Sequence, residues 1–243
     1  MYIIKLDAID STNSYLKALA SVNLPRDFTV VVANHQTKGR GQMGTTWQTE
    51  DGKNLTASVF KALTALEVER QFYISMVVAI AICRALDKLK IPKLSVKWPN
   101  DILSANKKIC GTLIENIIKQ NQLKGSVIGF GLNVNQKKFE NLPKASSMSL
   151  LTGVVYSKDE ILSAILTELQ TCFKLLETKS YTEIKSKYET LLFRKDKPST
   201  FKKDNDDTFL GIIKGVTETG KLKIWTEDDI IKTFDLKEVT LLY

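Results

Sequence analysis

The segment at residues 39–47, GRGQMGTTW, restricts the possible folds more than any other part of the sequence. Its first six residues fit G-x-G-x-x-G, a pattern that in dinucleotide-binding proteins joins a strand to a helix whose N-terminus holds the pyrophosphate. A β-branched strand is predicted before it at residues 28–33, but residues 44–54 are rich in turn formers and lack an apolar stripe of helical period. The sequence therefore argues against a Rossmann fold, and the glycines must serve another purpose.

The rest of the chain alternates strand and helix patterns, which predicts an α+β fold with a mixed sheet flanked by helices. Strands are predicted at residues 2–6, 28–33, 54–60, 94–98, 108–118 and 126–133. Helices are predicted from about Ser14, from the capping box Thr64-x-x-Glu67 to about Leu89, from the capping box Ser157-x-x-Glu160 onward, and at residues 182–191. The turn-like segments SANK and KQNQ indicate that hairpins build much of the sheet.

The sequence pattern changes after Leu192. Short runs in which apolar and polar residues alternate are there separated by ETG and EDD. This pattern is typical of a small antiparallel β module of about fifty residues. We therefore expect two domains, at residues 1–191 and 192–243.

Net charge, cysteine content and hydropathy limit the kinds of partner that this protein can have. The formal net charge is +8, but the basic residues are dispersed, which favours a solvated surface and leaves open attraction to anions such as ATP or to an acidic protein. Three separated cysteines favour a reducing compartment, with the cytoplasm as the default. The most apolar window, residues 74–82, is far shorter than the ~20 residues of a membrane span, and no helix-turn-helix pattern precedes the first strand. We expect no membrane partner and no specific DNA.

Polar motifs recur at intervals along the chain: DSTN at residues 10–13, Gln36 before the glycine segment, KWPND at 97–101, KKICGTLIE at 107–115 and GFGLNVN at 129–135. Each has a structural reading when taken singly: a helix N-cap, solvated lysines, core tryptophans, a turn, or close strand packing. His35 is the single histidine, and no Ser, Cys or acidic partner is placed around it, which argues against a Ser-His-Asp hydrolase.

In this order the motifs resemble the biotin protein ligases over nearly the whole chain. The resemblance is to the short, ligase-only members, which lack the DNA-binding domain of the longer ones. It implies a catalytic domain related to class II aminoacyl-tRNA synthetases, followed by a small SH3-like β barrel. One departure concerns the family pattern GRGRxGRxW, in which Gln42 and Thr45 here replace the second and third arginines.

The resemblance also implies a reaction, in which biotin and Mg-ATP form biotinyl-5′-AMP and the biotin is transferred to a lysine of a biotin carboxyl carrier protein. It assigns catalysis to Lys108, Arg40, Lys97 and Asp101. It assigns biotin contacts to Ser11, Thr12, Asn13, Gln36, Gly39, Arg40, Gly41, Trp47, Lys108, Gly111, Gly129 and Gly131. Nucleotide contacts fall on Asn100, Asp101 and Asn133, with Asp101 as the metal ligand.

An acyl-adenylate hydrolyses when water reaches it, so we expect the glycine segment to be a mobile loop that closes over it, with Arg40 attracting the phosphate. Two other readings stay open, a lipoate or octanoate ligase with an apolar acyl channel and a non-catalytic biotin-binding protein. The sequence leaves the oligomeric state open, a homodimer included, and does not identify the carrier.

Overall fold

The computed structural model describes residues 1–63 and 66–243, and a seven-stranded mixed sheet forms its centre. The strands are β1 Tyr2–Ile9, β2 Thr29–Gln36, β3 Leu55–Ala62, β4 Leu94–Lys97, β5 Asp101–Ser104, β6 Lys107–Lys119 and β7 Gln122–Leu132. Their order is β1-β2-β3-β7-β6-β5-β4, with β1 and β2 parallel and each other pair antiparallel. The predicted α+β class is confirmed, and so are the turns at SANK and KQNQ, which join the antiparallel pairs β5–β6 and β6–β7.

Helices cover the two faces of this sheet unequally. They are α1 Thr12–Val22, α2 Phe72–Lys88, α3 Met148–Thr152, α4 Lys158–Glu177 and α5 Tyr181–Leu191. The apolar side chains of α2 and α4 belong to the large core on one face of the sheet. On the opposite face Leu16 of α1 packs with Val31, Phe60 and Val127 in a small cluster. Since this second core is small, much of that face lies beyond it and is available for a site.

The helix starts test the two capping boxes. Ser157 accepts a hydrogen bond from the backbone N–H of Glu160 at the start of α4, as predicted. The predicted start of the preceding helix is wrong, because a 3₁₀ turn at Val68–Arg70 comes first and α2 begins at Phe72. Thr64, the first residue of the other capping box, lies outside the described residues. Strand β5 was not predicted, since it contains only four residues and begins directly after the turn at Pro99 and Asn100.

The end of the chain forms a five-stranded antiparallel sheet. Its strands are β8 Pro198–Lys203, β9 Thr208–Val216, β10 Leu222–Thr226, β11 Ile231–Phe234 and β12 Val239–Leu242, in the order β11-β10-β9-β8-β12. The antiparallel module is therefore confirmed, while the exact domain limits stay a prediction. A hydrogen bond of 2.8 Å from Trp98 Nε1 to the carbonyl of Gly220 connects the two sheets. None of the described helices has the length and apolar character of a membrane span.

Candidate functional site

Strand register creates a depression in the sheet face that carries α1. Residues directly opposite in antiparallel strands share a face, and here Thr56 of β3, Gly131 of β7, Gly111 of β6, Asp101 of β5 and Lys97 of β4 form one row across five strands. Because the second and third residues of this row, Gly131 and Gly111, are glycines, no side chain rises from the sheet between Thr56 and Asp101. This glycine row is the floor of a site whose end carries one carboxylate and one ammonium group.

A cavity of about 320 Å³ lies over this floor, between α1 and the glycine segment. Its volume is within the range typical of small-molecule sites. It is lined by Ser11, Thr12, Asn13, Gln36, Arg40, Gly41, Gln42, Thr45, Thr46, Trp47, Ala57, Asn100, Asp101, Lys108, Gly111, Thr112, Leu113, Gly129, Phe130 and Gly131. Nearly all of the predicted site residues are therefore brought together.

Buried polar groups at the start of α1 form one end of the cavity. Gln36 Oε1 accepts hydrogen bonds from the backbone N–H and the hydroxyl of Thr12. Ser58 donates to Asn13 Oδ1 at 2.6 Å, and Ser11 caps the helix by accepting from Ser14. Ser11 thus has both the structural role that its motif indicates and a place in the cavity. Ser58 was missed, because it lies inside a strand that reads as core.

Gly129 and Gly131 leave room for two side chains above the sheet. A Cβ atom at Gly129 would lie 2.1 Å from Asn13 Oδ1, and one at Gly131 would lie 2.3 Å from Cε2 of Trp47. Real Cβ contacts are never so close, so a larger residue at either position would displace its neighbour. Trp47 Nε1 is buried and has no hydrogen-bond partner among the described residues, which leaves a donor at the edge of the cavity.

The glycine segment itself is a narrow hairpin, not the start of a helix. Trp47 donates from its backbone N–H to Gly39 O at 3.0 Å, and Gly41 donates to Thr45 O at 2.7 Å. The residues between them form only a 3₁₀ turn at Gln42–Gly44, with Gly44 at φ +81°. The rejection of a Rossmann fold is confirmed. Gly39 and Gly41 allow the two arms to approach, since a Cβ at either would meet the opposite arm within 2.4 Å. The predicted mobility of this loop stays a prediction.

Arg40 on this hairpin reaches the sheet through an ion pair of 2.9 Å with Glu115 of β6. Glu115 also accepts from Lys17 of α1 at 2.7 Å and from Asn13 at 3.0 Å. Burial alone would raise the pKa of Glu115, but the hydrogen bonds from Lys17 and Asn13 and the charge of Arg40 hold it below its usual value. Glu115 therefore ties the hairpin to α1. It was not among the predicted site residues, because its partners are distant in sequence.

Lys108 and Asp101 form a second ion pair of 2.7 Å at the other end of the cavity. The ammonium group of Lys108 reaches over Gly111 and lies 5.5 Å from the centroid of Trp47, within the range of a cation–π contact. The ammonium group of Lys108 is thus held between the indole and the carboxylate. A ligand anion can replace Asp101 there as the partner of Lys108.

The structure does not bring Lys97, Gly39 or Asn133 into the lining of this cavity. Lys97 lines a neighbouring space of about 230 Å³ between the hairpin and the C-terminal sheet. Gly39 forms the neck of the hairpin. Asn133 is buried and donates to the carbonyl of Ser146, so it fixes the segment beside the start of β6. The nucleotide contact assigned to Asn133 stays a prediction.

The described residues contain no group of three or more His, Cys, Asp or Glu side chains that could hold a metal. Asp101 is the one carboxylate in the described lining of the cavity. Mg²⁺ commonly binds one or two carboxylates and takes its remaining ligands from phosphates and water. The donor set fits a metal that arrives with a nucleotide.

Fold and cavity together define a class of protein that binds a small anionic ligand on an open sheet face, between a polar helix start and a lysine–aspartate pair. Residues 6–133 match the biotin/lipoate A/B protein ligase family, and the chain belongs to that family. The resemblance indicated by the motifs is thereby confirmed.

Two curated relatives and one solved structure show how far the similarity extends. The bifunctional ligase/repressor BirA of Bacillus spizizenii is 27% identical over 238 residues, which is 96% of this chain and 72% of that protein. The biotin–[acetyl-CoA-carboxylase] ligase of Mycobacterium tuberculosis is 32% identical over 163 residues, or 66% of this chain and 59% of the other. The biotin protein ligase from Aquifex aeolicus in complex with biotin and ATP matches with a TM-score of 0.80 at 29% identity, covering 99% of this chain and 98% of that one.

Proposed function

We propose that this chain is a biotin protein ligase, which activates biotin with ATP to biotinyl-5′-AMP and transfers biotin to a lysine of a biotin carboxyl carrier protein. The observation that carries the proposal is the match over nearly the full chain to a ligase solved with biotin and ATP. The cavity supports it, because its lining offers a cation, Lys108, for anionic reactants and a carboxylate, Asp101, for a metal that accompanies a nucleotide.

In the first step an oxygen of the biotin carboxylate attacks the α-phosphorus of ATP. The bond from that phosphorus to the bridging oxygen breaks, and pyrophosphate leaves with the electron pair. In the second step the amine of the carrier lysine attacks the acyl carbon, loses a proton and releases AMP. Negative charge shifts in both steps, so a fixed cation at the reacting atoms stabilises the transition state. Lys108 takes this role, with Arg40 and Lys97 adding positive charge.

The polar end of the cavity would receive the ureido ring of biotin. That ring offers two N–H donors and one carbonyl acceptor, so its pocket needs groups of both kinds. Ser11, Thr12, Asn13 and Gln36 supply them, and Ser58 orients Thr12 and Asn13 through hydrogen bonds of 2.8 and 2.6 Å. Trp47 would then lie against the ligand from the hairpin side.

The other end would receive the nucleotide. Asn100 and Asp101 line the cavity there, and Asn133 would act through the segment that it holds. Mg²⁺ brought by ATP would neutralise phosphate charge beside Asp101.

We also propose a biotin carboxyl carrier protein as the acceptor and a cytoplasmic location, which the three free, buried cysteines support. That the protein binds no specific DNA stays a prediction, and the oligomeric state stays open.

The test is biotin-dependent exchange of labelled pyrophosphate into ATP, with lipoate and octanoate as competing acids. Exchange with biotin alone supports the proposal. Exchange with lipoate instead favours the second candidate, which the family description also covers. Tight biotin binding with no exchange for any acid indicates a non-catalytic binding protein.

The hairpin gives a further prediction. Arg40→Gly is expected to speed dissociation of biotinyl-AMP about tenfold and to weaken its salt dependence, because the variant removes a charge that can pair with the phosphate. Gln42→Arg, which adds the arginine of the family pattern, should slow dissociation by up to about tenfold. The measurement is the off-rate of labelled biotinyl-AMP at several salt concentrations.

Lys38→Ala is the control, because it removes one positive charge from an exposed position directly before the glycine segment. An unchanged off-rate and salt dependence in Arg40→Gly would show that the hairpin does not hold the adenylate electrostatically.

A further inference from the structure

Three lysines surround the end of the glycine row that carries Asp101. Lys97 lies opposite Asp101 in the strand register, and Lys108 pairs with the same carboxylate. The third is Lys144, whose carbonyl accepts a hydrogen bond of 2.7 Å from the backbone N–H of Lys108. Ala145 forms a β-bridge with Lys108 as well. The backbone at Lys144 is therefore fixed beside the start of β6, although no motif marks this residue.

An aromatic ring from the C-terminal sheet holds two of these lysines. Tyr243 follows β12, and the centroid of its ring lies 5.3 Å from Lys97 Nζ and 4.2 Å from Lys144 Nζ. The ring packs edge-on against Phe193, with centroids 5.0 Å apart. Cations favour the face of an aromatic ring at such distances. Tyr243 thus links the lysines of the first sheet to the second sheet.

The charges of this cluster are not balanced within the protein. Over residues 1–63 and 66–243, no carboxylate lies within 4 Å of Lys97 or Lys144, and the nearest carboxylate of the row, Asp101, pairs with Lys108. Burial lowers the pKa of Lys97, the charge of Asp101 opposes this, and the charges of Lys108 and Lys144 lower it further. The exposed Lys144 thus lies near two half-buried lysines of the same charge, which is unfavourable unless an anion binds among them.

We propose that Lys144 and Tyr243 complete the nucleotide site, with Lys144 binding the phosphates of ATP that leave as pyrophosphate and Tyr243 positioning Lys144 and Lys97. The inference rests on the proposed ligase function. The polyphosphate is the favoured anion because Lys97 and Lys144 adjoin the Lys108–Asp101 pair, where the α-phosphate would react. The β- and γ-phosphates of ATP, which follow the reacting α-phosphate, carry most of the negative charge. The three lysines would lie next to these two phosphates.

The variant Lys144→Met tests the assignment, since the side chain is exposed and its loss should leave the fold intact. We expect the KM for ATP, and the KM for pyrophosphate in the reverse reaction, to rise about three- to tenfold, as for a partly exposed charge contact. The KM for biotin should not change. Lys137→Met is the control, because it also removes one positive charge from an exposed lysine, in the segment between β7 and Ala145.

Tyr243 is tested by a pair of variants. Tyr243→Leu removes the aromatic face and should raise the KM for ATP in the same way as Lys144→Met, whereas Tyr243→Phe keeps the face and should behave like the wild type. A residue that only stabilises the C-terminal sheet would lower the Tm in Tyr243→Leu without separating the KM values for ATP and biotin.

A rise confined to the KM for the carrier would overturn the proposal and show that Lys144 contacts an acidic protein surface. Unchanged constants for both Lys144→Met and Tyr243→Leu would overturn it as well. Calorimetric titration with ATP and with pyrophosphate, in the absence of any acid substrate, separates this inference from the ligase proposal. Weaker binding in Lys144→Met then supports the lysine cluster even if the wild type shows no exchange with biotin.

Discussion

The Lys108→Ala variant is expected to keep its fold and to lose biotin-dependent adenylation by about 10²- to 10³-fold, as when one preorganised electrostatic contact to a reacting oxygen is removed. The physical reason is the position of its ammonium group, which lies above Gly111 in the lining of the cavity, where we propose that the ligand carboxylate and the α-phosphate meet. A cation there favours the transition state most, since charge is then moving between the two reactants.

The measurement is pyrophosphate exchange, followed separately by transfer from supplied biotinyl-AMP to the carrier. The variant also frees Asp101 from its ion pair, so Lys108→Arg is needed as a second variant that keeps the positive charge. It should fall between the wild type and Lys108→Ala, because a guanidinium group differs from an ammonium group in shape and reach. Lys119→Ala, an exposed lysine at the far end of the same strand, is the control. Near-normal exchange in folded Lys108→Ala would contradict the assignment.

Much of the fold could be predicted from local pattern. The strands β3 and β7 and the capping box at Ser157 are each indicated by a short stretch of sequence, and all were predicted to within a few residues. The start of α2 could not be found in this way, because a 3₁₀ turn and an α-helix begin with similar residues and differ only in which carbonyl each N–H reaches.

The site was predicted less completely, and the reason is strand register. Gly111 and Gly131 lie 20 positions apart in the sequence, and nothing local shows that they face each other in the sheet. Glu115 was missed for a different reason, because its partners Arg40 in the hairpin and Lys17 in α1 lie 75 and 98 residues away in the sequence. The motifs could be recognised only through their resemblance to a family, whereas the glycine row and the lysine cluster became visible in the structure.

The Gly131→Ala variant is expected to weaken biotin binding by about 5- to 150-fold, which corresponds to the ~1–3 kcal/mol cost of overpacking a close contact. The added methyl group would lie 2.3 Å from the indole of Trp47, so the ring must leave the glycine row. Strand backbone itself accepts alanine readily, and the position has no positive φ, so the effect arises from the lost space and not from backbone strain.

Biotin affinity and tryptophan emission together measure this change. Trp47 should become more exposed in Gly131→Ala and its emission should shift to longer wavelength, with Trp47→Phe in the wild-type background identifying its share of the signal. The double variant Gly131→Ala/Trp47→Ala removes the collision, so its Tm should recover relative to Gly131→Ala more than independent effects would allow. If Gly131→Ala leaves both the emission and the Kd for biotin as in the wild type, Trp47 does not need the glycine row, and close packing of the indole on the sheet is not what shapes the cavity.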